Sequence, residues 1–239
     1  MTLQECLTRA RFSRRDLFEK ITGLTALAAL EQQWALAQSE TVAVVATPSA
    51  TEGPYWVDER LNRSDIRNDP SNNSVQAGFP LVLGVAVSRI SGATITPVPG
   101  AFVDIWHCNA QGLYSDEAAN STSGQKWLRG YQTTDSHGQT RFLTIYPGWY
   151  AGRAVHIHYR IRTSSLTSPV LNFTSQFFFD ETVNSSVHGL NPYSSRGMRD
   201  TVNSTDGIYN QSGGAKLMLR MAKDSSYCLS SFHVMLTNI

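Results

Sequence analysis

The chain has 239 residues, 41% of them hydrophobic and 16% charged, with a formal net charge of +1. That composition excludes a disordered chain and suits a globular protein with room for one sizeable core. With no run of lysine or arginine beyond the first twenty residues, there is no field to attract nucleic acid or an anionic membrane, and both are set aside as partners.

Residues 13–20 read S-R-R-D-L-F-E-K, followed by a largely apolar run at 21–30 and A-L-A at 35–37. A basic stretch, an apolar stretch and a small-residue cleavage site describe an export signal over residues 1–37, and paired Arg14 and Arg15 give it the twin-arginine character. The apolar run is too short to span a bilayer, so no membrane association is expected once the signal is removed. The alternative for these residues is a short amphipathic helix. Twin-arginine export carries proteins already folded, which suits a chain that must take up a cofactor before leaving the cytoplasm. The expected location is periplasmic or extracellular. Cys6 would leave with the signal; Cys108 and Cys228 remain, and a disulfide or two separate buried thiols are both open. Triplets of the N-x-S/T kind, such as those at Asn62 and Asn172, matter only in a glycosylating host.

Residues 38–50 are small and form a lead-in segment. T-E-G-P-Y-W follows at 51–56, and then a polar stretch to Gly78 that predicts a surface-wrapping arm. The β-branched run at 80–87 predicts a strand, with turns at Ser91-Gly92 and 97–100. In the next strand, 101–108, Phe102, Asp104, Trp106 and Cys108 share one face and Val103, Ile105 and His107 the other. Two alternating runs at 130–134 and 140–145, joined by D-S-H-G, predict a hairpin. Alternation resumes after the turn at 147–152 and continues past His158 to Ile161; 175–179 is another short strand. Residues 180–214 read as loop, 216–221 and 227–236 as a closing pair of strands. Many short strands, with no long helix after the signal and no repeat, predict an all-β chain whose residues 51–239 form a single β-sandwich domain with long surface loops.

The chemistry concentrates at residues 147–158. His156 and His158, one residue apart on a strand, point the same way. An H-x-H pair also occurs as two satisfied polar residues, so the neighbours matter. Tyr150 lies just across a glycine-containing turn, and Tyr114 ends the preceding strand's loop in G-x-Y-S-D. A phenol titrates near pH 10, so an ionised tyrosine at neutral pH needs roughly 4 kcal/mol of favourable interaction, which a trivalent cation supplies. Phenolates are hard anionic donors and favour ferric iron over softer metals. Trp106 and Phe102 read as core, His107 as structural, His137 and His188 as solvent-exposed, and His233 has no partner in sequence that suggests ligation.

The segments T-E-G-P-Y-W (51–56), D-I-W-H-C-N-A-Q-G-L-Y-S-D (104–116), R-G-Y-Q-T-T-D (129–135), Y-P-G-W-Y-A-G-R-A-V-H-I-H (146–158) and S-Q-F-F-F (175–179) resemble the intradiol ring-cleavage dioxygenases, the protocatechuate 3,4-dioxygenase-like group, in order and over nearly all of the chain after the signal. The resemblance implies a mononuclear non-haem Fe(III) held by Tyr114, Tyr150, His156 and His158, with Tyr150 and His158 axial and Tyr114 and His156 equatorial beside a hydroxide. It implies that Arg153 and Gln176 flank the substrate ring, and it alone makes Gly53 and Pro54 candidates for the pocket wall. The implied reaction inserts both atoms of O2 into a catechol-type ring to give a cis,cis-muconate-type diacid, with Tyr150 accepting a substrate proton. The implied partners are a catechol-type small molecule and O2; a homo-oligomer is compatible with the sequence.

Two departures stand out. Only Ala151 and Gly152 separate Tyr150 from Arg153, where the protocatechuate enzymes have a longer insertion, which implies a more open pocket. The N-terminal helical domain that catechol 1,2-dioxygenases use to dimerise is absent, so the sequence reads as a single-domain, exported member. A competing expectation is an exported sandwich that only binds carbohydrate or polyphenol; the complete set of two tyrosines, two histidines, an arginine and a glutamine argues against it. Hydroxyquinol or another trihydroxylated ring is not separated from catechol by sequence.

Overall fold

The computed structural model describes residues 45–223 and 227–237; the export signal expected at 1–37 lies outside the described residues. The strands form two sheets. The first contains β1 (Pro80–Ser91), β2 (Thr94–Pro97), β5 (Gln139–Ile145), β8 (Arg220–Lys223) and β9 (Cys228–Leu236); the second contains β3 (Phe102–Trp106), β4 (Arg129–Thr133), β6 (His156–Arg162) and β7 (Asn172–Phe178). In the first, β1 is central, parallel to β9 and antiparallel to β5 and β2. The second is antiparallel throughout, in the order β4-β3-β6-β7.

Alternation decides which residues fill the space between the sheets. Leu81, Leu83, Val85 and Val87 of β1 meet Val103, Ile105, Ile157, Tyr159, Ile161 and Phe177 of the second sheet in one buried cluster. Tyr159 stacks on Phe177 with ring centroids 4.0 Å apart, and Phe177 reaches Phe232 of β9 at 4.9 Å. The all-β sandwich expected from the sequence is therefore the observed fold.

Several local expectations are corrected. The hairpin expected over 130–145 does not form: β4 pairs with β3 and β5 with β1. Its turn closes, with the Asp135 amide donating to the Gln139 carbonyl at 3.0 Å. Buried Thr134 then steers the incoming strand away, its hydroxyl donating to the Val98 carbonyl (2.7 Å) and accepting from the Ala101 amide (2.8 Å). The polar arm after residue 56 is not confined to the surface. Ile66 enters the core cluster and Asp69 is fully buried, because bridges from Asn62 to Tyr131 and Asp65 to Leu143 satisfy the arm's backbone there.

Residues 180–214 are not simply loop either. They contain the helices α1 (Glu181–His188) and α2 (Gly207–Gln211) with short 3₁₀ turns between and after them. Asp180 caps α1, accepting from the amides of Thr182 (2.8 Å) and Val183 (3.3 Å), and Val183 and Val187, four apart, pack onto the core. In a helix otherwise made of Glu, Thr, Asn, Ser and His, two valines leave almost no periodic signal. Lys216, expected in a strand, lies in the 3₁₀ turn Gly214–Leu217. The described part of the lead-in is stitched down, Thr47 donating to Met235 at 2.9 Å and Ala50 to Thr174 at 3.2 Å. Cys108 is a free, buried thiol. Among the described residues no helix is long and apolar enough to cross a membrane.

Candidate metal centre

The face of the second sheet turned away from the core carries the polar chemistry. Register sets Trp106, His158 and Gln176 side by side across β3, β6 and β7. His156 follows on the same face, opposite in direction to Ile157 and Tyr159. Both histidines are buried.

Two loops bring the phenols over this face. The loop after β3 delivers Tyr114, whose carbonyl accepts from the Thr122 hydroxyl at 2.6 Å. Buried Arg129 donates to the carbonyls of Ser115 (2.7 Å) and Tyr55 (2.6 Å), tying that loop to residues 51–56. The turn after β5 delivers Tyr150. It lies against the first loop at Gly148, whose amide donates to the Asn109 carbonyl at 3.1 Å and where an added Cβ would come within 2.4 Å of that same oxygen. Only glycine allows the two loops to meet so closely.

The four rings converge. His156 Nε2 lies 3.0 Å from His158 Nε2 and 3.2 Å from the Tyr150 hydroxyl. Tyr114 has ring centroids 5.7 Å from Tyr150 and 6.2 Å from His158, and its buried hydroxyl has no hydrogen-bond partner. His156 Nδ1 sits 2.6 Å from the Ala154 carbonyl, which can only accept; the proton is assigned to Nδ1, leaving the Nε2 lone pair aimed into the cluster. Among the described residues no group of three or more His, Cys, Asp or Glu forms a metal cluster. The convergent set is instead two phenols and two imidazoles, a chemistry that fits a hard trivalent cation.

Burial sets the protonation of these groups. It pushes the Tyr114 phenol well above its ordinary range, helped by Tyr150, and raises Tyr150 to about 12 despite the opposing pull of Arg153. Burial and then Arg153 bring His156 down to about 3; burial and then His156 hold His158 well below its ordinary value. All four are neutral at pH 7 in the protein alone: two bare imidazoles, and two phenols that only a strong positive charge would ionise.

Arg153 reaches the cluster from the turn. Its Nε donates to Asp206 Oδ2 at 2.9 Å, NH2 to Gln176 Oε1 at 2.6 Å, and NH1 lies 3.5 Å from His156 Nε2. Gln176 Nε2 donates to the Thr51 carbonyl at 2.8 Å, so both ends of its amide are engaged. Gly53, at φ +69°, passes so close to His158 that an added Cβ would sit 3.3 Å from Cε1; Pro54 beside it is exposed.

Tyr114, Tyr150, Arg153, His156, His158, Gln176 and Gly53 thus lie in one region, and some of the surrounding residues need revision. Trp106 is buried as expected but outside the core between the sheets, stacked on His158 at 5.0 Å. Phe102 is half-buried on the same outer face, against Tyr131 at 5.8 Å. His188 is not exposed: it is buried on α1, its Nε2 3.0 Å from the Pro147 carbonyl and its ring stacked on Tyr193, so it braces the turn that leads to Tyr150. His107 is structural as expected, bonded to the Cys108 carbonyl and the Thr144 hydroxyl, and His137 is exposed. His233 bonds the Ser88 hydroxyl. Sequence reasoning missed Tyr55, stacked on Tyr114 at 4.2 Å, and Asp206. The only signal for Asp206 was an aspartate before a glycine, the pattern of a turn or cap.

A family model described as Dioxygenase (Dioxygenase_C) matches residues 51–190. Catechol 1,2-dioxygenase 1 of Acinetobacter lwoffii is 28% identical over 137 residues, which are 50% of this chain and 43% of that protein. The protocatechuate 3,4-dioxygenase beta chain of Burkholderia cepacia is 32% identical over 119 residues, 45% of this chain and 50% of that one. The chain spans about half the length of the curated relatives it matches. An intradiol ring-cleavage dioxygenase from Tetranychus urticae has a solved structure that superposes with a TM-score of 0.71 at 27% identity, covering 82% of this chain and 96% of that one. With that match across more than half its length and the same architecture, the chain belongs to the intradiol ring-cleavage dioxygenase family.

Proposed function

We propose that this protein is an iron-dependent intradiol dioxygenase that opens a catechol-type ring with O2 to a cis,cis-muconate-type diacid. The observation that carries the reading is the convergence of two buried phenols and two buried imidazoles beside one arginine. Tyr114, Tyr150, His156 and His158 would hold a mononuclear ferric ion, the unpartnered Tyr114 hydroxyl becoming one of its donors. Bound there, Fe(III) would draw electron density from a catecholate so that a ring carbon can react with O2.

The chain's own residues supply the rest. Tyr150 is the less buried phenol, next to the exposed link Ala151-Gly152; ionised by the bound cation, its Oη would take a proton from a substrate hydroxyl. Arg153 NH1 offers positive charge to the ring as negative charge builds on it. Gln176 holds the Arg153 guanidinium through Oε1. Trp106 and Tyr55, stacked on His158 and Tyr114, wall the donors off from water, and Gly53 leaves room above His158. In the product each carboxyl group carries one catechol oxygen and one from O2.

The test is oxygen uptake by iron-loaded protein with a panel of catechols and hydroxyquinols, with the product identified by mass. Stoichiometric O2 consumption with a diacid product supports the reading; a loaded, folded protein that binds catechol without consuming O2 would leave the binding-module alternative. We also propose export by the signal at residues 1–37, which amino-terminal sequencing of protein from the culture medium or periplasm would test.

A further inference from the structure

We propose that Asp206 is a positioning residue for Arg153, which makes the segment beyond the family-matched residues part of the reaction machinery. The inference rests on the function proposed above. The match ends at residue 190, and Asp206 stands on the 3₁₀ turn and helix that follow.

A guanidinium has three nitrogens, and here two are committed. Nε is held by Asp206 Oδ2 and NH2 by Gln176 Oε1, which leaves NH1 as the nitrogen facing His156. Two directed bonds, one to a carboxylate, fix a long side chain that would otherwise sample many rotamers. The Ala154 amide donates to the same Oδ2 at 2.7 Å, so the carboxylate also fixes the backbone entering β6. Its other oxygen accepts from the amides of Ile208 (2.7 Å) and Tyr209 (2.9 Å) and caps α2. Asp206 is fully buried, and no side chain of the Ala151-Gly152 link carries a polar group that could hold Arg153 instead. A short link on one side is thus matched by a carboxylate from the far end of the chain.

Asp206→Asn keeps an acceptor for the helix cap but removes the charge that engages Arg153. In iron-loaded enzyme kcat should fall roughly hundredfold, the scale of a misplaced catalytic group, with little change in KM for catechol. In metal-free protein the Arg153 Nε–H signal, assigned by its loss in Arg153→Lys, should be protected from exchange and should lose that protection in Asp206→Asn. Protection unchanged in the variant, kcat undiminished, or an effect confined to KM each overturns the inference. A wild-type protein that is inactive with iron bound contradicts the proposed reaction, while the Nε–H measurement still decides whether Asp206 holds Arg153. If Asp206→Asn does not fold, wild-type protein decides: fast exchange of Nε–H in the folded chain overturns the positioning role.

Discussion

The two faces of β6 are made of alternate residues of one strand and obey different rules. The inward face, Ile157, Tyr159 and Ile161, is apolar, shares its burial with both sheets, and serves stability. The outward face, His156, His158, Arg160 and Arg162, is polar and held by specific partners: Arg162 by Asp104 at 2.7 Å, Arg160 by Glu52 and by the Trp56 ring at 4.1 Å. The outward groups depend on directed contacts with particular partners, whereas the inward side chains pack against many neighbours. The lesson is that period-2 alternation writes a core and a site into the same seven residues, and that damage on the two faces should look different.

The sharpest contrast comes from His158→Ala. Removing one of four convergent donors should abolish tight iron binding and lower turnover by more than about hundredfold, since outer partners of metal ligands alone cost 10- to 100-fold. The metal-free variant should still unfold cooperatively. Ile161→Ala should do the reverse: a loss of about 2–5 kcal/mol in denaturant unfolding with iron stoichiometry kept in the folded fraction. If Ile161→Ala removed iron without loss of stability, the division between the faces would fail.

Less drastic is the effect of pH on metal-free protein. Burial depresses His107 and His188 to about 4 and His156 to about 3. A base with a lowered folded pKa binds fewer protons folded than unfolded, so stability is full above about pH 6.5 and drains as pH falls toward 4. Urea midpoints across that range would show it; a flat profile would mean that these rings are hydrated. Gly53→Ala should cost about 1 kcal/mol from the left-handed backbone and should also disturb His158, read as altered iron absorption. Glu52→Gln, which breaks a partly exposed ion pair to Arg160, should cost less than about 1 kcal/mol and mark the lower end of the outer face's range.

Much of this contrast was legible in the sequence. The inner residues and the shared direction of the H-x-H pair follow from alternation, while Tyr114 and Tyr150 join that pair through the resemblance to the dioxygenase family. What alternation cannot carry is a partner far along the chain. Asp206 is 53 residues from Arg153, and nothing local marks it as more than a cap. The hairpin failed for a similar reason: its turn is locally correct, but pairing with β1 and β3 outcompetes pairing between its own strands. The helix α1 escaped notice because two valines were its whole apolar face, and with it went the buried state of His188.

The central claim is that the outer face holds ferric iron through two phenolates. Titrating metal-free protein with iron while recording visible absorption tests it most directly. A stoichiometric rise of a tyrosinate-to-iron charge-transfer band, weakened in Tyr150→Phe and lost in the Tyr114→Phe, Tyr150→Phe double variant, is the predicted result. A protein that retains iron and stays colourless, or whose band is indifferent to both tyrosines, would contradict it.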